Sequence, residues 1–224
     1  MDIIEAQQNP TVAPYAKENG LTLRVTASAA TRDEAKALLE PVVNRICDRL
    51  GMDIYGLGDI YLEDVVANLL LERNLTISTA ESCTGGLLAG RLINYPGISK
   101  IFKEGFITYS NESKISTLNI NPDTLDNFGA VSEETAAEMA KGAANRAKTD
   151  IAISVTGIAG PDGGTDEKPV GLVYIGMYIL GEVKVYKLDA WGSRDNIRRR
   201  SVTHALDMLR RELQNREIIK YNNK

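Results

Sequence analysis

Histidine and cysteine are scarce in this chain, and their scarcity removes whole classes of chemistry. Among 224 residues there is one histidine, His204, and there are two cysteines, Cys47 and Cys83. One imidazole and two distant thiols do not supply the three or four ligands of a zinc-like site, so no metal and no cofactor are expected. A Ser-His-Asp triad would need His204. That residue shares the polar side of the last predicted helix with Arg200, Asp207 and Arg211 and is expected to face solvent. The cysteines form no spaced framework, which suits a reducing cytoplasm. No long hydrophobic run occurs either. The longest uncharged apolar stretch, 170–181, is too short and too broken by glycine to span a membrane, and reads as a buried central strand. The start, Met1-Asp2-Ile3-Ile4-Glu5, is acidic and has no signal-peptide pattern, so a cytoplasmic protein with no membrane partner is expected. Nor is there an excess of basic charge. With 26 basic against 30 acidic residues the formal net charge is −4, and nothing demands a nucleic-acid partner.

What is present is an ordinary globular composition, 43% hydrophobic and 25% charged. Residues 1–20, with Asn9-Pro10 and Ala13-Pro14, read as a poorly ordered lead-in. Residues 21–27 alternate like a half-buried strand, and Thr31-Arg32-Asp33-Glu34 opens a helix whose apolar positions recur to Leu50. This predicts a small strand–helix–strand domain over residues 1–61. Residues 62–224 then alternate between strand and helix. Strands are expected at 75–80, 104–109, 151–156, 171–180 and 182–190, and helices at 62–73, 132–148 and 195–214. Ser132 caps the middle helix, and Ala136, Ala140, Ala143 and Ala144 give it a small-residue face for close packing. Such alternation predicts a three-layer α/β/α sandwich.

Two glycine-rich loops each follow an apolar strand: Glu81-Ser82-Cys83-Thr84-Gly85-Gly86, and Thr156-Gly157-Ile158-Ala159-Gly160-Pro161-Asp162-Gly163-Gly164-Thr165. Loops at the carboxyl ends of an α/β sheet are where ligands bind, and glycines let backbone N–H groups approach an anion. The other reading is tight strand-to-helix turns alone. Neither loop ends in the Lys-Ser/Thr of a P-loop and neither carries the dinucleotide fingerprint, which leaves a ligand of monophosphate or mononucleotide size. Asp162 and Asp166 could hold a hard cation, although loop aspartates commonly form turns. Lys114 falls near the first turn of a short helix capped by Ser110 or Asn111; it is either a surface lysine or a base with lowered pKa. Ser99 sits where a helix would begin, as a cap or as a nucleophile. Arg194 and Arg198, four apart, share a helix face and would clamp a phosphate, or else belong to a solvated basic face.

Together these segments resemble a known family. The first loop, Tyr109-Ser110-Asn111 with Lys114, Gly129-Ala130-Val131-Ser132, Thr156-Gly157-Ile158-Ala159-Gly160-Pro161 and Lys168-Pro169-Val170-Gly171 occur in that order in the carboxyl-terminal domain of the competence/damage-inducible CinA family. The resemblance spans roughly residues 62–215, and the segment from Asn9 resembles that family's small KH-like domain. It implies hydrolysis of the carboxamide of nicotinamide mononucleotide to nicotinate mononucleotide and ammonia, a step of pyridine nucleotide salvage, by a serine–lysine amidohydrolase. Carried over by position, Ser99 is the nucleophile, Lys114 its base, and Tyr109 orients the amide or assists proton transfer. Ser82, Thr84, Gly85, Thr156 and Gly157 line the ligand site, with Arg194 or Arg198 near the phosphate. Ser82, on the turn beside Cys83, is the other serine placed to act as nucleophile. Many members carry a further serine before the proposed nucleophile; here Ile98 stands there. The family suggests a homodimer. Longer members carry a molybdopterin-binding-like domain linked to ADP-ribose pyrophosphatase activity, which residues 1–224 do not contain. The alternative is a nucleic-acid or competence-machinery binding module. A KH domain that binds nucleic acid uses a Gly-x-x-Gly loop, absent from residues 21–61, so that partner is not expected.

Overall fold

The computed structural model describes residues 8–17 and 20–215. Chain contacts divide it into two units, Met1–Leu57 and Gly58–Lys224. In the first, β1 (Thr11–Lys17) pairs antiparallel with β2 (Gly20–Thr26), with Thr11 opposite Thr26. Helix α1 (Arg32–Leu50) follows. Its capping box satisfies both ends of the first turn: Glu34 N–H donates to the Thr31 hydroxyl and Thr31 N–H to the Glu34 carboxylate. Two expectations are corrected here. The lead-in contains a strand, and no strand follows α1 before Tyr61 among the described residues, only a 3-10 turn at Gly51–Asp53 and loop. Pro14 punctuates the sequence as a loop would, yet a two-stranded hairpin leaves one edge of each strand unpaired, and proline is tolerated there. Asn9 fastens the strand's start, its side chain bonding both the amide and the carbonyl of Ser28.

The second unit holds a five-stranded mixed sheet of order β4-β3-β5-β6-β7. β3 (Ile77–Glu81) runs parallel to both β4 (Phe102–Ile107) and β5 (Ile151–Gly157). β6 (Leu172–Ile179) and β7 (Glu182–Asp189) continue antiparallel. Every residue of β3 is buried, as for a central strand covered on both faces. Helices α4 (Asn111–Leu118), α5 (Pro122–Phe128) and α6 (Glu133–Ala147) lie together on one face. There Met139, Ala143 and Ala144 of α6 pack with Leu118, Leu125 and the alternate strand residues Ala80 and Ala152. Helices α2 (Leu62–Glu72), α3 (Leu87–Leu92) and α7 (Arg194–Asn215) pack against one another and complete the three layers.

The alanine face of α6 explains its closeness to the sheet. Ala136, Ala140, Ala143 and Ala144 are buried, and Ser154 on β5 donates to the Ala136 carbonyl at 2.6 Å. Gly176 of β6 lies directly beneath, where a Cβ would collide with that same carbonyl. Because β3, β4 and β5 are parallel, their carboxyl ends emerge at one edge, and both glycine-rich loops and the start of α4 are delivered there.

Candidate active site

Ser82 follows the last residue of β3, its amide donating to Val155 O of the neighbouring strand at 2.9 Å. The chain then turns sharply through Gly85 (φ +58°) and Gly86 (φ +96°), a left-handed backbone that favours glycine, and enters α3. Glu81, buried at the end of β3, turns its carboxylate onto this turn and accepts from the amides of Gly86, Leu88 and Ala89 at 2.8–3.0 Å. Gly85 N donates to Ser82 O, and Leu87 N to Thr84 O. The loop therefore does not offer those N–H groups to a phosphate. An internal carboxylate occupies the anion position that the glycine pattern suggested for a ligand.

Lys114 enters from the opposite element. Ser110 caps α4, its hydroxyl accepting from Ser113 N at 3.1 Å, and this places Lys114 in the first helical turn. The lysine is 0% exposed. Its Nζ meets Ser82 Oγ at 3.2 Å, Thr108 O at 2.9 Å and Tyr109 O at 3.2 Å. Burial holds its pKa below the ordinary lysine range, against the opposing influence of Cys83 and Glu112. A neutral amine has two N–H groups and one lone pair. With the two carbonyls taking the hydrogens, the lone pair is left for the Ser82 hydroxyl. This is the arrangement of a general base and its nucleophile.

Cys83, beside Ser82, does not compete. Burial pushes its thiol up to about 11, so it stays protonated and weakly nucleophilic near neutrality.

The expected pairing of Ser99 with Lys114 is not formed. Ser99 is exposed in the 3-10 turn Ile98–Lys100 that leads into β4, and Phe102 of β4 pairs with Ile77, the first residue of β3. Ser82 lies past the other end of β3. Five strand residues separate the two levels, roughly 16 Å at about 3.3 Å per residue. All three polar contacts of Lys114 are with other groups, and Ser82 occupies the place assigned to Ser99.

Of the other expected site residues, Arg198 comes from α7 and donates through Nε to Cys83 O at 3.0 Å and through Nη2 to Thr84 O at 2.9 Å. It grips the Ser82 turn. Arg194, one helical turn earlier, donates to Gly160 O at 2.7 Å and to the phenolic oxygen of Tyr109 at 3.3 Å, joining the second glycine-rich loop to the rim. Tyr109 is 62% exposed. Thr84 is fully buried, and its hydroxyl has no protein partner. Two residues expected to line the ligand do internal work instead. Thr156 donates to Ala130 O at 2.6 Å, and Gly157 leaves no room for a Cβ, which would lie 2.6 Å from Val173 Cγ2 and 2.8 Å from Leu172 O. Lys168 bonds the carbonyls of Phe128 and Val131, tying the second loop to the end of α5. Glu81 and Thr108 were not singled out from the sequence. A carboxylate five to eight residues before three turn amides was the available signal for Glu81.

Among the described residues no group of three or more His, Cys, Asp or Glu could hold a metal ion, and no helix is long and apolar enough to cross a membrane.

Comparison with known proteins adds an independent finding. Residues 59–213 match the CinA C-terminal domain, and residues 1–56 match the Damage-inducible protein CinA KH domain. A protein of Alkaliphilus oremlandii described as competence-damage inducible is 57% identical over 218 residues, covering 97% of this chain and 53% of that protein. One of Clostridium novyi with the same description is 58% identical over 212 residues, covering 95% and 51%. The chain thus spans about half the length of the curated relatives it matches. Among solved structures, a CinA superfamily protein from Klebsiella pneumoniae superposes with a TM-score of 0.67 at 34% identity, covering 69% of this chain and 97% of that one. The competence/damage inducible protein CihA from Agrobacterium tumefaciens gives 0.64 at 41% identity, covering 71% and 99%.

Proposed function

The chain belongs to the CinA family, and on that premise we propose that it is an amidohydrolase that converts nicotinamide mononucleotide to nicotinate mononucleotide and ammonia, with Ser82 as nucleophile and Lys114 as its base. The observation that carries this reading is the 3.2 Å contact between a buried lysine amine and the Ser82 hydroxyl at the carboxyl edge of the sheet. The nucleotide itself comes from the family resemblance.

The chemistry closes without a further reagent. Ser82 Oγ attacks the carboxamide carbon as its proton passes to the lone pair of Lys114. The resulting ammonium gives that proton to the departing amide nitrogen, ammonia leaves, and an ester to Ser82 remains. Water then attacks the ester while Lys114 again takes a proton and returns it to Ser82 Oγ, and nicotinate mononucleotide is released. Carbonyls of Thr108 and Tyr109 hold the amine in place through both halves. The exposed pair Tyr109 and Arg194 forms a polar rim at the same edge, suited to the ribosyl phosphate. Incubation with nicotinamide mononucleotide, followed by assay of ammonia and of the nucleotide product, tests the reading. Stoichiometric ammonia and nicotinate mononucleotide are expected; an unchanged substrate would overturn it.

A further inference from the structure

Glu81 is a buried carboxylate that the chemistry above does not use. It is 1% exposed, and among the described residues no cation pairs with it. Burying a carboxylate without a countercharge is costly unless its oxygens are hydrogen-bonded. Here one oxygen accepts from Gly86 N and Leu88 N and the other from Ala89 N, at 2.8–3.0 Å. All three donors lie at the start of α3. A Ser or Asn side chain at the cap position would serve a helix end without burying a charge. That position is Gly86, at φ +96°, and it has no side chain to cap with. The sharp turn after Ser82 demands glycine there, so the cap comes from across the turn, from the last residue of β3.

This placement has a consequence for the nucleophile. The bond from Gly86 N to the Glu81 carboxylate closes a ring around residues 82–85. Inside it, Ser82 N is held by Val155 O at 2.9 Å, and Ser82 O accepts from Gly85 N at 3.1 Å. Gly85 and Gly86 have the widest backbone freedom of any residue, and the carboxylate is what fixes the second of them. Lys114 is held separately, by Thr108 O and Tyr109 O. The contact between Lys114 Nζ and Ser82 Oγ, at 3.2 Å, is already at the long end of the hydrogen-bond range, so a small shift on the serine side breaks it.

We infer that Glu81 is a positioning residue for the reaction at Ser82: by capping α3 from the end of β3, its carboxylate closes the Ser82 turn and keeps the hydroxyl within reach of Lys114. This rests on the reading of Ser82 and Lys114 as nucleophile and base.

The test compares the wild-type chain with Glu81→Gln and Glu81→Asp. Glutamine keeps the shape but sets an NH2 group against at least one of the three amides; aspartate keeps the charge at a shorter reach. A thermal melt confirms folding. Two rates are then measured: turnover of nicotinamide mononucleotide across pH, and modification of Ser82 by a sulfonyl fluoride, followed by mass spectrometry. In Glu81→Gln, kcat and the modification rate are expected to fall together by about 100-fold, with KM within about threefold of wild type. Glu81→Asp should recover about tenfold of that loss. The rising pH limb of kcat/KM should stay where it is in wild type, because the burial of Lys114 and its two carbonyl partners do not depend on Glu81. Folded variants with both rates within about threefold of wild type would overturn the inference. So would a raised KM at unchanged kcat, or a displaced pH limb, which would assign Glu81 to the ligand or to the charge of Lys114. A wild-type chain modified at Ser82 but inert towards the nucleotide would remove the substrate assignment alone, and the modification rates would still decide the role of Glu81.

Discussion

Replacing Lys114 by methionine separates a proton-transfer role from a purely structural one. Methionine nearly matches the lysine stem in shape, so the fully buried site stays filled, but it can neither accept nor donate a proton. Three contacts disappear: those to Ser82 Oγ, Thr108 O and Tyr109 O. The buried Thr108 carbonyl would lose a donor at a cost of about 1–3 kcal/mol, offset in part by no longer burying an amine. A modest fall in Tm is expected, not unfolding. Turnover should suffer far more, because loss of a positioned base costs about 100- to 10,000-fold in kcat. The pH dependence gives the sharper signature. The wild-type base works as the neutral amine, so kcat/KM should rise with pH through a pKa that burial has moved below the ordinary lysine value of 10.5. The methionine variant should show no such limb. Stability has the same sign. Between the lowered folded-state pKa and 10.5 the unfolded chain binds more protons than the folded one, so wild-type stability rises with pH across that window, and the methionine variant lacks this rise. Ammonia release measured across pH, with melts at the same pH values, checks both. A methionine variant that kept more than about a tenth of the wild-type rate with the same pH limb would refute the role of Lys114 as base.

Removing the α4 cap with Ser110→Ala should cost about 1 kcal/mol in a denaturant melt and lower kcat, because it loosens the turn that presents Lys114. Gly157→Ala forces a Cβ to within 2.6 Å of Val173 Cγ2 and should lower stability by about 1–3 kcal/mol in calorimetry, with its effect on turnover following from stability alone. Arg194→Ala should raise KM for nicotinamide mononucleotide by about 10- to 100-fold through loss of a charge-assisted contact, and leave the weaker reaction of the riboside nearly unchanged. Equal losses on both substrates would place Arg194 away from the phosphate.

Most of the fold could be read from periodicity and caps. Ser132, Glu133 and Glu134 announced α6, and the alanines that follow were on its buried face. The central strands β3, β5 and β6 lie within a residue or two of their expected ranges. β1 was lost to Pro10 and Pro14, which mark turns in most contexts and are tolerated on an unpaired edge. Helices α3 and α5, of six and seven residues, are too short for a periodic pattern. The site was only half legible. Lys114 and its cap could be located because Ser110 and the preceding strand set the register. Which serine it meets depends on α3 running back along the sheet, which returns Ser99 to the amino end of β4 while Ser82 stays at the carboxyl end. That is a tertiary fact with no local signal. The glycine-rich loop was equally ambiguous, since only the fold reveals that Glu81 takes its amides.

The central claim is that Ser82 and Lys114 act together on the carboxamide. It is tested most directly by measuring ammonia release from nicotinamide mononucleotide by the wild-type chain, Ser82→Ala and Ser99→Ala under identical conditions. The account predicts that Ser82→Ala loses turnover by about 1,000-fold or more while still binding the nucleotide in calorimetry, and that Ser99→Ala stays within about threefold of wild type. Full activity in Ser82→Ala, with loss in Ser99→Ala, would contradict it.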